Sequence, residues 1–217
     1  MLGGKDLIFF LVILDLNMSS EYIAVILTGG KSSRMNFVNK SFLEINNKSF
    51  IQTIIETLKM RFDKIVININ KDKTKYQKFN LPIVTDVIKG FKGPLAGLHA
   101  AMKEHKFQKY KESWFVLVPT DSPFIPLEYF DNFIKNNNLK SSVIISEING
   151  KIEPVFSFWS IKTFQYIEKK LIESDGLKIM NVASEIGFEI LKFQSKDKKE
   201  FMNINTKEDL KLIEKLS

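Results

Sequence analysis

An α/β fold around a mostly parallel sheet is predicted by two features of this 217-residue sequence. Strand-like and helical segments alternate from Tyr22 to about residue 135, and the strand-like ones are continuous apolar runs that lead straight into loops. Such alternation implies parallel strands joined by right-handed crossovers. The first strand is read at Tyr22–Thr28, a β-branched run that ends in Gly29-Gly30. A helix over Ser49–Phe62 follows, with Ile51, Ile54, Ile55, Leu58 and Phe62 at helical spacing. Lys64–Ile69 reads as a strand, Lys71–Phe79 as a short polar helix and Pro82–Thr85 as a third strand. Gly93-Pro94 opens the next helix, because proline suits a first turn where its missing N–H would be unpaired anyway. Trp114–Val118 is another buried strand.

Further on, Val143–Ser146 and Ile152–Trp159 flank Asn149-Gly150, a turn signal that predicts a small β-hairpin insertion. Helices near Ile161–Ile172 and Leu177–Ile186, a strand at Phe188–Phe193 and a last helix complete the chain. Thr206-Lys-Glu-Asp209 resembles the capping signal that starts a helix, with Asp in the acidic place. Residues 18–217 are expected to form one domain. Residues 1–17 carry an apolar run, Leu7–Leu14, too short to span a bilayer. Lys5 precedes it, but Asp15-Leu16-Asn17-Met18 is no signal cleavage site. This segment is expected to be a dispensable extension, and the protein is expected in the cytoplasm.

Composition removes several chemistries. With no cysteine, disulfides, iron–sulfur clusters, cysteine-ligated zinc and thiol nucleophiles are excluded. The formal charge of +7, from 32 Lys plus Arg against 25 Asp plus Glu, could attract nucleic acid, an anionic membrane or phosphorylated small molecules, or simply mark a solvated lysine-rich surface. The lysines are dispersed along the chain, which argues against a nucleic-acid footprint. Only two histidines exist, His99 and His105, and neither belongs to a serine-based triad; His99 is expected to be a packed or surface residue.

The candidate chemistry lies after strands, where open parallel sheets bind ligands. Three segments qualify: Gly29–Lys40, Asn68–Lys71 and Pro119–Pro126. In the first, Gly29 and Gly30 permit close backbone approach to a ligand, and Lys31, Arg34 and Lys40 add three cations. It is neither a P-loop, since Val25 stands where the earlier glycine belongs, nor a dinucleotide fingerprint, since Lys31 replaces the second glycine. Asp121, held between Pro119 and Pro123, is the best candidate for a Mg²⁺ ligand, because triphosphate chemistry usually needs that ion on one or two carboxylates. Asp86 occupies a similar place after a short strand.

These residues carry a resemblance. The pattern L-x-G-G-x-S-x-R-M over Leu27–Met35, with Lys40 five residues on, resembles the signature of the MobA-type nucleotidyltransferases, and within them the molybdenum cofactor guanylyltransferases. Gly93-Pro94-Leu95-Ala96-Gly97, Val118–Pro123, the strand with Pro154 and Asn203-Ile204-Asn205-Thr206 extend the likeness from Ile23 to Leu210. The resemblance implies a three-layer Rossmann-like domain that transfers GMP from GTP to the phosphate of molybdopterin, with Mg²⁺, and releases pyrophosphate. It also implies roles: Leu27, Thr28 and Gly29 on the guanine and ribose side, Asn68 and Asp86 on the nucleotide, Lys40 on its phosphates, Asp121 on Mg²⁺ and Arg34 as the loop arginine. Lys178 falls where the family often carries a basic residue for the pterin phosphate. Three positions depart from the pattern: Thr28 for the usual Ala, Asn36 for Gly and Asn39 for Asp. Contacts with molybdoenzymes or maturation chaperones follow from the same likeness, with no nucleic acid and no membrane.

Three alternatives stand beside this reading. A cytidylyltransferase for the same cofactor would carry Ala in place of Gly29 and a more acidic late motif. A sugar-1-phosphate nucleotidyltransferase shares the loop logic. A non-catalytic nucleotide-binding adaptor would have no need of both Lys40 and Asp121.

Overall fold

One seven-stranded sheet organises the computed structural model, which describes residues 21–29, 40–88, 90, 93–104, 113–136, 139–174 and 176–216. The 1–17 segment, Gly30, Lys31, Arg34, Asn36, Asn39 and His105 lie outside the described residues. The chain enters through β1 (Glu21–Leu27) and resumes at a 3-10 turn over Lys40–Phe42. A two-rung ribbon of β2 (Glu44–Ile45) and β3 (Lys48–Ser49) leads into helix α1 (Phe50–Lys59). Then come β4 (Lys64–Ile69), α2 (Lys73–Gln77), β5 (Ile83–Thr85), α3 (Pro94–Glu104), β6 (Ser113–Pro119) and α4 (Leu127–Ile134). The second half adds β7 (Val143–Ile148), β8 (Lys151–Ser160), α5 (Phe164–Glu173), α6 (Ile179–Ile186), β9 (Glu189–Phe193) and α7 (Lys207–Leu216).

The strand order is β5-β4-β1-β6-β8-β7-β9, and only β8 runs antiparallel to its neighbours. From β1 the chain steps outward to β4 and β5, then returns to place β6 on the other side of β1. That reversal opens a crevice beyond the carboxyl ends of the strands. The expected hairpin forms with Asn149 at φ 52° and Gly150 at φ 80° between paired Ile148 and Lys151. Both of its arms join the central sheet. A hairpin that the sequence does not announce as clearly, β2–β3, turns on Asn46 and Asn47, also at positive φ. Asparagine tolerates that region better than other non-glycine residues.

Alternation along β1 explains the three layers. Ala24 and Ile26 enter one core with Ile51, Ile54 and Leu58 of α1 and Tyr129, Phe130 and Phe133 of α4. Ile23, Val25 and Leu27 enter the other core with Leu95, Leu98 and Met102 of α3, Ile167 and Leu171 of α5 and Val182 of α6. A strand covered on both faces must be apolar at every position, hence the unbroken run in the sequence. The α7 start matches its capping signal: Thr206 Oγ1 accepts from Asp209 N at 3.1 Å, and Asp209 Oδ2 accepts from Thr206 N at 2.8 Å.

Candidate active site

Four strand ends build the crevice: β1 delivers Leu27-Thr28-Gly29, β4 delivers Asn68, β5 delivers Asp86, and β6 delivers Thr120 and Asp121. They form two acidic corners on either side of β1.

The first corner centres on Asn68. Its side chain is buried and donates from Nδ2 to Asp86 Oδ1 at 2.9 Å. Its backbone carbonyl accepts from both Thr28 N at 3.1 Å and Thr28 Oγ1 at 2.8 Å. The extra hydroxyl of Thr28, where the family pattern has alanine, is therefore satisfied locally. Space for Asn68 depends on Gly97 in α3, where an added Cβ would lie 2.5 Å from Asn68 Oδ1 and 2.7 Å from Leu27 Cδ2. Burial raises the proton affinity of Asp86, with the Asn68 hydrogen bond acting against the rise. The entrance of α3 turns on Gly93 at φ 77°, whose missing Cβ would meet Leu177 O at 3.3 Å.

The second corner gathers charge. Burial pushes the Asp121 carboxyl above the ordinary aspartate range; Lys40, the residue's own N–H and Ser122 oppose the rise, while Glu153 adds to it. Lys40 Nζ donates to Asn205 Oδ1 at 2.5 Å. The late asparagine motif folds back along the Asp121 loop: Ile204 N donates to Asp121 O at 2.7 Å, and Ser122 Oγ donates to Asn203 Oδ1 at 2.8 Å. Asn203 and Asn205 thus brace residues more than eighty positions earlier, and Asp209 accepts from the backbone of Asn205. Among the described residues no three His, Asp or Glu side chains cluster tightly enough to hold a metal ion by themselves. Asp121 would hold Mg²⁺ with phosphate oxygens completing the shell, which is the usual mode for that ion.

Several expected residues fall into place and others do not. Leu27, Thr28, Gly29, Asn68 and Asp86 meet in one corner, Lys40 and Asp121 in the other. Gly30 and Arg34 lie outside the described residues. His99 is turned away: it is fully buried, stacks on Phe164 at 5.2 Å and meets Glu168 Oε1 at 3.1 Å through Nε2. Burial lowers its proton affinity, with the Glu168 hydrogen bond acting against the fall. Sequence reasoning missed Glu153, Ser41 and Tyr76 near the second corner. Glu153 had a signal in its neighbour Pro154; the other two had none.

Fold and site together define a nucleotidyltransferase. The chain belongs to the MobA-like NTP transferase domain family, whose model matches residues 24–186. Molybdenum cofactor guanylyltransferase of Haemophilus influenzae is 30% identical over 197 residues, covering 89% of this chain and 98% of that protein. A probable molybdenum cofactor guanylyltransferase of Clostridium perfringens is 33% identical over 190 residues, covering 84% and 91%. The crystal structure of molybdopterin-guanine dinucleotide biosynthesis protein A from Archaeoglobus fulgidus superposes with a TM-score of 0.66 at 19% identity, over 88% of this chain and 96% of that one. A 4-diphosphocytidyl-2C-methyl-D-erythritol synthase from Anaerococcus prevotii reaches 0.65 at 14% identity, over 91% and 98%. At such identities these two structures attest the fold.

Proposed function

We propose that this chain is a molybdenum cofactor guanylyltransferase: it transfers GMP from GTP to the terminal phosphate of molybdopterin and releases pyrophosphate. The observation that carries the reading is the placement of Lys40 where its charge acts on Asp121, at the carboxyl edge of β1 and β6, with Asn205 holding Lys40 and Asn203 holding the Asp121 loop through Ser122. The attacking group is already an anionic phosphate, so no side-chain nucleophile or histidine base is needed. Phosphoryl transfer asks for positioning and charge neutralisation.

In this reading the Leu27–Gly29 backbone, Asn68 and Asp86 hold the guanosine. Asp86 presents a half-buried carboxylate to neutral donors on base or ribose. Lys40 lies along the phosphates, where negative charge grows as pyrophosphate leaves. Arg34 and Gly30 are assigned to the same loop by the resemblance, and Lys178 to the acceptor phosphate. When bound on Asp121, Mg²⁺ supplies further positive charge to the phosphate oxygens. Partial burial of Asp121 lowers the screening of that interaction. The guanine dinucleotide cofactor then passes to a molybdoenzyme, directly or through a maturation chaperone. The cytoplasm is the expected compartment, and no described helix is long and apolar enough to cross a membrane.

The test is pyrophosphate release with molybdopterin, Mg²⁺ and each nucleoside triphosphate in turn. Release with GTP alone is expected. Release with CTP but not GTP would overturn the base assignment, and no release with any triphosphate would leave a nucleotide-binding adaptor.

A further inference from the structure

Beneath the charged corner runs a buried line of hydroxyls. Tyr76 in α2 donates from its phenol to Ser41 Oγ at 3.3 Å, Ser41 Oγ donates to Thr120 Oγ1 at 3.4 Å, and Thr120 Oγ1 donates to the Leu27 carbonyl at 3.3 Å. Thr120 N donates to that same carbonyl at 3.2 Å. The three side chains are at most 5% exposed. Each link adjoins a residue of the site: Ser41 follows Lys40, Thr120 precedes Asp121, and Leu27 leads into Thr28-Gly29. The donors all point one way and end on a backbone acceptor, an arrangement in which successive hydrogen bonds polarise one another.

We propose that Tyr76 is a positioning residue, which acts through Ser41 and Thr120 to set the Lys40 turn against the Asp121 loop. The inference rests on the roles given above to Lys40 and Asp121. The ring of Tyr76 has a separate duty, packing on Phe42 at 5.0 Å and in the core with Ile67 and Ile69. Phenylalanine keeps that duty and deletes the hydroxyl alone. The links are longer than the usual 2.7–2.8 Å of hydroxyl pairs, so each is weak by itself. Their value is geometric. The separation of a lysine from a metal-binding carboxylate matters most when charge shifts from the α-phosphate to the leaving pyrophosphate, and less while GTP is merely bound.

The experiment compares Tyr76→Phe, Ser41→Ala, Thr120→Val and Thr120→Ser in steady-state GMP transfer, with the thermal midpoint of each variant. Tyr76→Phe and Ser41→Ala are expected to lower kcat about fivefold, the size of one ordinary hydrogen bond, while KM for GTP stays within about twofold. The double variant Tyr76→Phe/Ser41→Ala should be no slower than Ser41→Ala alone, because the hydroxyls act as one line. Thr120→Ser, which keeps the hydroxyl, should stay near the parent, and Thr120→Val should not. Unchanged kcat in Tyr76→Phe, with or without a lower thermal midpoint, would overturn the proposal. So would losses that multiply in the double variant, or Thr120→Ser as slow as Thr120→Val. A parent chain inactive with every triphosphate sinks the functional reading itself, a result distinct from an active parent with insensitive variants.

Discussion

Asp86 and Asp121 sit at matching places, each just beyond a parallel strand, each half or more buried and each holding its proton more tightly than a free aspartate. Their neighbours differ. Asp86 faces a neutral amide, Asn68 Nδ2. Asp121 feels Lys40 and Glu153, whose charges act on it in opposite directions. A carboxylate beside an amide suits hydroxyl or N–H donors of a neutral ligand part. A carboxylate set among opposing charges suits a cation and the phosphates that travel with it. On the proposed reading, the crevice holds a recognition corner and a charge corner before any ligand arrives.

Asp121→Asn gives the largest expected break. Loss of the carboxylate should lower turnover by about 10³-fold, the scale of removing a preorganised charge from the transition state. The same change should raise the thermal midpoint of the ligand-free protein at neutral pH. The folded state binds this proton more tightly than the unfolded chain does. The associated stability is therefore complete below the ordinary aspartate range and is lost as pH rises through the folded value. Asparagine removes that loss. Thermal scans of both proteins across the acidic range would show the parent losing ground relative to the variant as pH rises. An Asp121→Asn protein less stable than its parent at pH 7 would contradict this account of the corner.

Gly97→Ala attacks the recognition corner instead. Helix propensity favours the alanine by about 0.5–1 kcal/mol. The new Cβ, however, would stand 2.5 Å from Asn68 Oδ1, and Asn68 is pinned by Asp86. Overpacking of this kind costs about 1–3 kcal/mol, so the clash wins. Calorimetric GTP affinity should fall about tenfold, while residues around Asp121 keep their arrangement. Asp86→Asn is milder still. Its amide oxygen can go on accepting from Asn68, so the fold holds and only the charge offered to the nucleotide is lost. A fall in GTP affinity of about fivefold is expected, on the scale of one ordinary hydrogen bond, with kcat nearly preserved. A larger loss of kcat than of affinity would move Asp86 from recognition into the chemistry.

The two corners were unequally legible in the sequence. Asn68 and Asp86 lie at the ends of strands whose apolar runs mark them, so strand ends pointed to those two residues of the recognition corner; Gly97 was legible only within the Gly93-Pro94-Leu95-Ala96-Gly97 motif. Lys40 and Asp121 were legible as residue types after such strands. Their partners were not. Asn205 reaches Lys40 across 165 residues, and no local pattern encodes a fold-back of that span. Ser41, Thr120 and Tyr76 meet through tertiary packing, and hydroxyls at such spacing leave no periodic trace. Helix α4 also escaped notice, because Pro126 at its N-cap offers no side-chain acceptor to mark the start. The hairpin was read correctly from Asn149-Gly150, but not the entry of its arms into the main sheet, since pairing partners are set by topology.

That entry produces the smallest predicted effect. Glu153, on the β8 arm of that hairpin, adds to the rise in Asp121 proton affinity, because a negative neighbour disfavours ionisation. Glu153 is partly offset by its ion pair with Lys151 at 2.5 Å. Glu153→Gln removes the negative neighbour, so the Asp121 proton leaves more readily. The acid limb of the kcat profile, which this ionisation sets, should move to lower pH by a fraction of a unit, with the plateau rate unaltered. Lys151→Met acts oppositely, because an unpaired Glu153 repels Asp121 more strongly, and its acid limb should move up. Limbs that coincide in both variants would mean that the hairpin only walls the charge corner and does not tune it.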